Sequence, residues 1–165
     1  MFTAAPARDP ASASDKPLLY AELVQQLRSL IANEPDRIAN LANASALLFS
    51  MLPDLNWAGF YLLKDGELVV GPFQGQPACV RIAVGKGVCG TAALQRSTIV
   101  VPDVHAFPGH IACDAASNSE IVVPIISTAG ELLGVLDLDS PLTGRFDAVD
   151  QQGLERFVAV LLQTM

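Results

Sequence analysis

Apolar residues recur every three or four positions in three parts of the chain, which is the pattern of amphipathic helices. The first helix is predicted from Pro17 to about Asn33. The second is predicted to begin near Pro35, because proline suits the first helical position. Its predicted inner face consists of Ile38, Leu41, Ser45, Leu48 and Leu52. The third helix is predicted within residues 146–165, with an inner face of Leu154, Phe157, Val158, Leu161 and Leu162.

Between these helices the chain favours strands. Two stretches rich in strand-forming residues surround a turn signal, and each predicts a β-hairpin. The hairpins are residues 56–73, turned at Asp65-Gly66, and residues 120–140, turned at Ala129-Gly130. Two further strands, within residues 78–87 and 97–104, are predicted on either side of a short helix within residues 87–97.

Helices before and after antiparallel hairpins predict an α+β fold, with a central antiparallel sheet that has its N- and C-terminal helices packed on one face. Loops would cover the other face and leave it available for a ligand. Residues 102–119 form a long predicted loop. Because long connections in compact domains are often functional, we expect a ligand pocket beneath this loop.

The composition indicates one acidic domain, predicted to comprise residues 17–165. Apolar residues make up 51% of the 165 positions, which is enough to fill one core. Residues 1–16 are rich in Ala, Pro and Ser, and we expect a flexible tail there without the apolar run of a signal peptide. The net charge of −7 disfavours binding to nucleic acid or anionic membranes. With no segment of about 18 apolar residues, the expected location is cytoplasmic.

The chain has three widely spaced cysteines, Cys79, Cys89 and Cys113. An odd number without a CxxC pair disfavours both a secreted disulfide framework and structural zinc. In a reducing compartment the three would be thiols at rest. A disulfide among them would then be transient, which is typical of catalysis or redox sensing.

Cys113 is the strongest candidate for chemistry. It lies in the predicted loop, with His110 three residues before it and Asp114 directly after it. A free cysteine is often a buried apolar residue, but the polar run CDAASNSE is a poor core segment and favours an exposed or pocketed thiol. Two weaker alternatives are a metal site made with His105 and His110, and a cysteine hydrolase that uses His110.

Acids and aromatic residues share strand faces. Asp137 and Asp139 are two apart on one predicted strand, and Glu120 begins its neighbour. Trp57 and Tyr61 are four apart on the first strand, so they also share a face. The acids could lie at a solvated strand end and the aromatics in the core. If all five face the open side, they form a small cavity for a ligand with a cationic end, such as the ammonium of an amino acid.

At these residues the sequence resembles the free methionine-R-sulfoxide reductases, which are single-domain members of the GAF fold family. The resemblance runs from about Leu19 to Leu162 and is densest in NWAGFYLL, GPFQGQPACVRI, GKGVCGTAA, DVHAFPGHIACDAASNSEIVVPI and GVLDLDSP. It implies that residues 17–165 form a GAF domain. It also implies a catalytic role for Cys113, a resolving role for Cys79, and an alternative resolving role for Cys89.

The resemblance further implies that aromatic walls surround the substrate methyl group and that acids bind the substrate. These positions are Trp57 and Tyr61 for the walls, and Glu120, Asp137 and Asp139 for the acids. The implied reaction reduces free L-methionine-(R)-sulfoxide through a cysteine sulfenic acid and an intramolecular disulfide, which thioredoxin or a similar dithiol then reduces. No metal and no cofactor are implied.

Two other functions fit the same residues. One is a non-catalytic GAF sensor of a small molecule, and the other is a thiol protein that senses peroxide without a sulfoxide substrate. The apolar terminal helices would also permit a homodimer.

Overall fold

The computed structural model describes residues 15–111 and 113–165. The tail predicted over residues 1–16 falls, except for its last two residues, outside this described part. The described helices are α1 (Lys16–Ile31), α2 (Arg37–Met51), α3 (Gly87–Gln95) and α4 (Ala148–Leu161). The strands are β1 (Trp57–Lys64), β2 (Glu67–Gly75), β3 (Arg81–Ala83), β4 (Ile99–Val101), β5 (Ser119–Ile126) and β6 (Leu132–Ser140).

The six strands form one antiparallel sheet in the order β3-β2-β1-β6-β5-β4. Both predicted hairpins are confirmed. At the first turn, Asp65 and Gly66 have φ values of 51° and 82°, and the left-handed conformation of both matches the twist of the two strands they join. The sheet therefore places β1 and β6, from different hairpins, side by side at its centre.

Helices α1, α2 and α4 cover one face of the sheet and bury the larger apolar core against it. This confirms the predicted packing of the terminal helices. The predicted inner face of α2 is wrong at one position, because Ile38 is 52% exposed. Asp36 caps the helix by accepting a hydrogen bond from the Ala39 backbone N–H at 2.8 Å, so Ile38 falls in the first turn, outside the buried stripe that begins at Asn40 and Leu41.

The other face is covered by α3 as well as by the loop between β4 and β5, and these elements enclose a second apolar cluster. The sequence predicted loops alone on this face. The strand order explains the difference: β3 and β4 lie at opposite edges of the sheet, so the helix between them must cross one face, and three helices already occupy the first. Within the described part of the chain, no helix is both long and apolar enough to span a membrane.

A buried ionic network joins α1 to α4. Asp150 on α4 is fully buried and accepts hydrogen bonds from Lys16 Nζ at 2.6 Å, the Tyr20 hydroxyl at 2.8 Å and Arg145 at 3.2 Å. Asp147 caps α4 and also accepts from Lys16, at 2.8 Å. The buried carboxylate of Asp150 is thus paired with two cations, Lys16 and Arg145.

Candidate active site

Strand pairing places the predicted acids beside the first aromatic residue. Asp139 on β6 lies directly between Trp57 on β1 and Glu120 on β5, and Asp137 lies opposite Gly59. Glu120 and Asp137 are each 6% exposed, whereas Asp139 is half-buried. All three acids line one pocket on the face of the sheet opposite the three-helix core.

Aromatic rings form a second side of this pocket. Trp57 and Tyr61 both line it, and their rings stack with centroids 5.8 Å apart. Phe73 on β2 stacks on the far side of Trp57 at 5.1 Å, a contact that the sequence did not indicate. The signal for it was Gly59, because a side chain there would clash with Phe73, the residue opposite it on β2.

The same two aromatic residues fix the segment between β2 and β3. Trp57 Nε1 donates a hydrogen bond to the Gln76 carbonyl at 3.2 Å, and the Tyr61 hydroxyl donates to the Cys79 carbonyl at 3.2 Å. Both bonds tie the backbone on either side of Pro77 and Ala78, which also line the pocket. Cys79 is consequently held at the edge of the site by a residue that forms its wall.

The loop between β4 and β5 brings Cys113 to the pocket. Cys113 lines the pocket and forms a disulfide with Cys79, with the two Cα atoms 5.4 Å apart. Asn56 holds this loop by donating to Asp114 Oδ2 at 2.9 Å and to Ser117 Oγ at 3.0 Å. Sequence reasoning missed Asn56, since its position directly before a strand gives no local signal of these contacts.

Cys89 enters the pocket from the first turn of α3. It is 4% exposed and remains a free thiol. Its sulfur lies 3.9 Å from Glu120 Oε1, and ligand atoms of Cys89, Glu120 and Asp137 all lie within 4.8 Å of one another. Within residues 15–111 and 113–165, this is the set whose spacing could hold a metal ion.

The two histidines are not assembled into a metal site with Cys113. His105 Nε2 instead lies 3.0 Å from Asn118 Oδ1, and the Cys113 sulfur is bonded to Cys79. His110 lines the pocket with Nε2 3.7 Å from Glu120 Oε2. Burial, with a smaller contribution from His105, lowers the pKa of His110 below its ordinary value of 6.5, which favours the neutral ring.

Burial dominates the electrostatics of the three acids. It raises the pKa of Glu120 well above its ordinary value, and the nearby charge of Asp137 raises it further. Burial also raises the pKa of Asp137 to about 7, although hydrogen bonds with Cys89 and Glu120 partly oppose this shift. The pKa of Asp139 is likewise raised, by burial and then by Asp137. The pocket therefore retains protons near neutral pH.

The pKa of the buried Cys89 thiol is shifted for the same reason. Burial raises the pKa of Cys89 well above its ordinary value, and the charges of Asp137 and Glu120 add to that effect. A protonated thiol is a poor nucleophile. Chemically, the site combines a cysteine sulfur on its loop side, proton-bearing acids on its sheet side and an aromatic wall between them.

The chain is similar in sequence to known proteins. The GAF domain family model matches residues 46–164. The chain is 55% identical over 147 residues to a free methionine-R-sulfoxide reductase of Escherichia coli, covering 89% of this chain and 88% of that protein. It is 45% identical over 154 residues to a free methionine-R-sulfoxide reductase of Saccharomyces cerevisiae, covering 89% of this chain and 86% of that protein.

The structure is also similar to a solved structure from the same family as these relatives. The X-ray structure of free methionine-R-sulfoxide reductase from Neisseria meningitidis in complex with its substrate superposes with a TM-score of 0.88. The two chains are 47% identical, and the match covers 93% of this chain and 92% of that one. The resemblance implied by the sequence motifs is confirmed: the chain belongs to the GAF domain family and, within it, to the free methionine-R-sulfoxide reductases, which are oxidoreductases.

Proposed function

We propose that this protein reduces free L-methionine-(R)-sulfoxide to methionine, with Cys113 as the nucleophile and Cys79 as the resolving thiol. One observation carries the proposal: Cys113 lines the pocket of acids and aromatic rings while its sulfur is bonded to Cys79. The names of the relatives from Escherichia coli and Saccharomyces cerevisiae, and of the structure from Neisseria meningitidis, support the same substrate.

The ionised acids of the pocket bind the ammonium group of the substrate, while another acid keeps its proton for the sulfoxide oxygen. Asp137 Oδ1 is buried and has no hydrogen-bond partner among the described residues. A buried acceptor without a donor is costly, and a substrate ammonium supplies three N–H donors. An N-acylated or peptide-bound substrate has no such cation, so the acids favour the free amino acid. Trp57 and Tyr61 provide an apolar wall for the methyl group.

The first chemical step forms methionine. In the reduced protein, the Cys113 thiolate attacks the sulfoxide sulfur while an acid of the pocket delivers a proton to the sulfoxide oxygen. The oxygen transfers to Cys113 as a sulfenic acid, and the sulfur of the substrate is released as the thioether. Glu120 is the proposed proton donor, because its pKa is raised by burial and by Asp137, whereas Asp139 is the most exposed of the acids.

The second step closes the disulfide. The Cys79 thiol condenses with the Cys113 sulfenic acid and releases water, and an external dithiol, such as thioredoxin, then returns two electrons. Cys79 is favoured over Cys89 as the resolving thiol because Cys79 bonds to Cys113 in this structure, while Cys89 is buried with a raised pKa. Since this cycle needs a reducing compartment, we also propose a cytoplasmic location.

Methionine release by the fully reduced protein, without added reductant, tests the first step. We expect about one equivalent per chain from the free R epimer, and a loss of more than about 1,000-fold for Cys113→Ser, which lacks the nucleophile. The N-acetylated R epimer is the matched substrate control and should react at least about 10-fold more slowly. A non-catalytic sensor would release none, and equal rates for Cys113→Ser and the unmodified protein would refute the proposal.

Steady-state turnover with thioredoxin, its reductase and NADPH tests the second step. Cys79→Ser should release about one equivalent of methionine and then stall, because its sulfenic acid has no partner thiol. Cys89→Ser is the matched control and should continue to cycle. If the two variants behave in the opposite way, Cys89 is the resolving thiol.

A further inference from the structure

Cys89 is a buried thiol that the proposed reaction cycle does not use. It is 4% exposed, and its sulfur is free while Cys79 and Cys113 are bonded to each other. The Cys89 sulfur lies 3.9 Å from Glu120 Oε1, inside the pocket rather than in an apolar core. A thiol next to a carboxylate is a pair of groups that transition metals bind.

Asp137 brings a third donor atom to the same point. Ligand atoms of Cys89, Glu120 and Asp137 all lie within 4.8 Å of one another. Asp137 lines the pocket and is 6% exposed, and its Oδ1 has no hydrogen-bond partner among the described residues. A buried oxygen of this kind is costly unless a donor or a cation reaches it. It is independent evidence for a ligand at this position.

Three elements of the fold hold these side chains. Cys89 lies in the first turn of α3, where the Gly90 carbonyl accepts a hydrogen bond from the Gly85 backbone N–H at 2.7 Å. Glu120 and Asp137 lie on the paired strands β5 and β6, at diagonal positions of the ladder. The backbone of the site is therefore fixed by the sheet and by the turn that leads into α3.

The chemistry of the donor atoms selects zinc. Mg²⁺ and Ca²⁺ take about six to eight oxygen ligands, and a thiolate does not suit them. Zn²⁺ binds thiolate and carboxylate together, with bonds of about 2.3 Å to sulfur and about 2.1 Å to oxygen. A tetrahedral zinc ion would thus hold a sulfur and an oxygen ligand about 3.6 Å apart. The distance from Cys89 Sγ to Glu120 Oε1, 3.9 Å, is close to this value.

We propose that Cys89, Glu120 and Asp137 form a Zn²⁺ site, with water as the fourth ligand, as in zinc sites that have three protein ligands. Zn²⁺ replaces the proton of the Cys89 thiol and those that the acids carry, and these protons pass to solvent without oxidation or reduction. The site needs no reductase activity, so it goes beyond the function proposed above. Because Asp137 Oδ1 cannot bind zinc and a substrate ammonium together, bound zinc would exclude the sulfoxide.

Zn²⁺ binding to the oxidised protein, measured by competition with a chromophoric chelator, tests the site. The disulfide occupies the other two cysteines, so Cys89 is the thiol that remains. At pH 8, where protons compete less for the ligands, we expect about one Zn²⁺ per chain. Cys89→Ser should raise Kd by at least about 100-fold, since loss of a direct ligand costs more than loss of a group that supports one. Asp137→Asn should raise Kd by at least about 10-fold.

Co²⁺ provides a spectroscopic readout of the same site. When bound to Cys89, it should show thiolate-to-metal charge-transfer absorption in the near ultraviolet, and Cys89→Ser should lose that absorption. His105→Gln is the matched control, because His105 is exposed, does not line the pocket and is a residue type that binds zinc readily. This variant should keep both the Kd for Zn²⁺ and the Co²⁺ spectrum. Thermal unfolding without metal checks that each variant retains the fold.

Competition with substrate tests whether zinc excludes the sulfoxide. In Cys79→Ser/Cys113→Ser, which lacks the proposed nucleophile and does not consume methionine sulfoxide, the sulfoxide should raise the apparent Kd for Zn²⁺. Zinc binding that does not respond to the sulfoxide would overturn the shared use of Asp137.

Two results would overturn the zinc site itself: an unchanged Kd in Cys89→Ser, or a loss of binding in His105→Gln. Methionine release by the reduced, metal-free protein tests the proposed function separately. A failure of the zinc site is therefore distinguishable from a failure of the reductase activity.

Discussion

Carboxylates are buried in two regions of this molecule, and their surroundings differ. At the α1–α4 junction, Asp150 is bonded to Lys16, Arg145 and the Tyr20 hydroxyl. In the pocket, no Lys or Arg of the described residues forms an ion pair with Glu120, Asp137 or Asp139. The junction is thus satisfied by the chain itself, whereas the pocket acids lack a fixed cation.

The pKa values of acids in the two regions are shifted in opposite directions. Partial burial acts to raise the pKa of Asp147 at the junction, but the hydrogen bonds from Lys16 and from backbone N–H groups outweigh it and lower the pKa to about 2. In the pocket, burial prevails and raises the pKa of Asp137 to about 7. The comparison shows that the acids of the junction are paired with cations of the chain itself, whereas burial without such a cation raises the pKa of the pocket acids.

Removing a cation from the junction should cause the largest loss of stability. Arg145→Met would leave Asp150 with one cation fewer and lose the Arg145 Nε bond to the Pro53 carbonyl. We expect the free energy of unfolding to fall by about 3 to 5 kcal/mol, the usual cost of breaking a buried ion pair, as measured by urea denaturation. Arg81→Met is the matched control, since Arg81 and Glu67 form an exposed pair at 3.3 Å, and should change stability by less than about 1 kcal/mol.

Neutralising a pocket acid should instead raise the free energy of unfolding. Because burial raises the pKa of Asp137 from 3.8 to about 7, the folded state holds a proton that the unfolded chain releases, and stability falls as pH rises between those values. Asp137→Asn should remove this slope and stabilise the protein at pH 8 by roughly 1 to 4 kcal/mol, given about 1.4 kcal/mol per pKa unit. Urea denaturation at pH 4 and pH 8 measures both effects. A destabilised variant at pH 8 would show that Asp137 is already paired.

Substrate binding should depend on the pocket acids and not on those of the junction. Asp139→Asn should raise KM for the sulfoxide about 10- to 100-fold, because a charged hydrogen bond to the ammonium contributes about 1.5 to 3 kcal/mol. Asp147→Asn is the matched control: asparagine also caps helices well, so KM should stay the same. Steady-state kinetics in dithiothreitol provide both values, and an unchanged KM for Asp139→Asn would exclude that acid from substrate binding.

The smallest effect is expected at the uncharged member of the junction. Tyr20→Phe removes one hydroxyl donor, at 2.8 Å from Asp150 Oδ1, while both cations remain. The free energy of unfolding should fall by about 1 kcal/mol, the typical contribution of one hydrogen bond, without a change in KM. A loss as large as that of Arg145→Met would mean that the hydroxyl, not the ion pair, stabilises the junction.

The pocket acids could be predicted from sequence because a strand has a simple period. Asp137 and Asp139 are two apart, so they share a face wherever the strand pairs, and the hairpin turn brought Glu120 opposite Asp139. The same rule placed Trp57 and Tyr61 on one face of the first strand. Their roles toward substrate stay predictions, which the variants above are designed to test.

The junction could not be predicted in this way. Lys16 and Asp150 are 134 residues apart in sequence, and only the packing of α1 on α4 makes them neighbours. The apolar spacing of both helices indicated that they are amphipathic but not which polar residues would meet. Phe73 and Asn56 were missed for a similar reason, since each acts through a partner on another element. The position of α3 required the strand order, which local patterns do not contain.

The link between Cys79 and Cys113 also affects the unfolded chain. It spans 34 residues, and a closed loop of that length lowers the chain entropy of the denatured ensemble by an amount worth about 4 kcal/mol at 25 °C. The oxidised protein should accordingly withstand heat and proteases better than the reduced one. On the cycle proposed above, each reduction by a dithiol would return the molecule to the form with the lower free energy of unfolding.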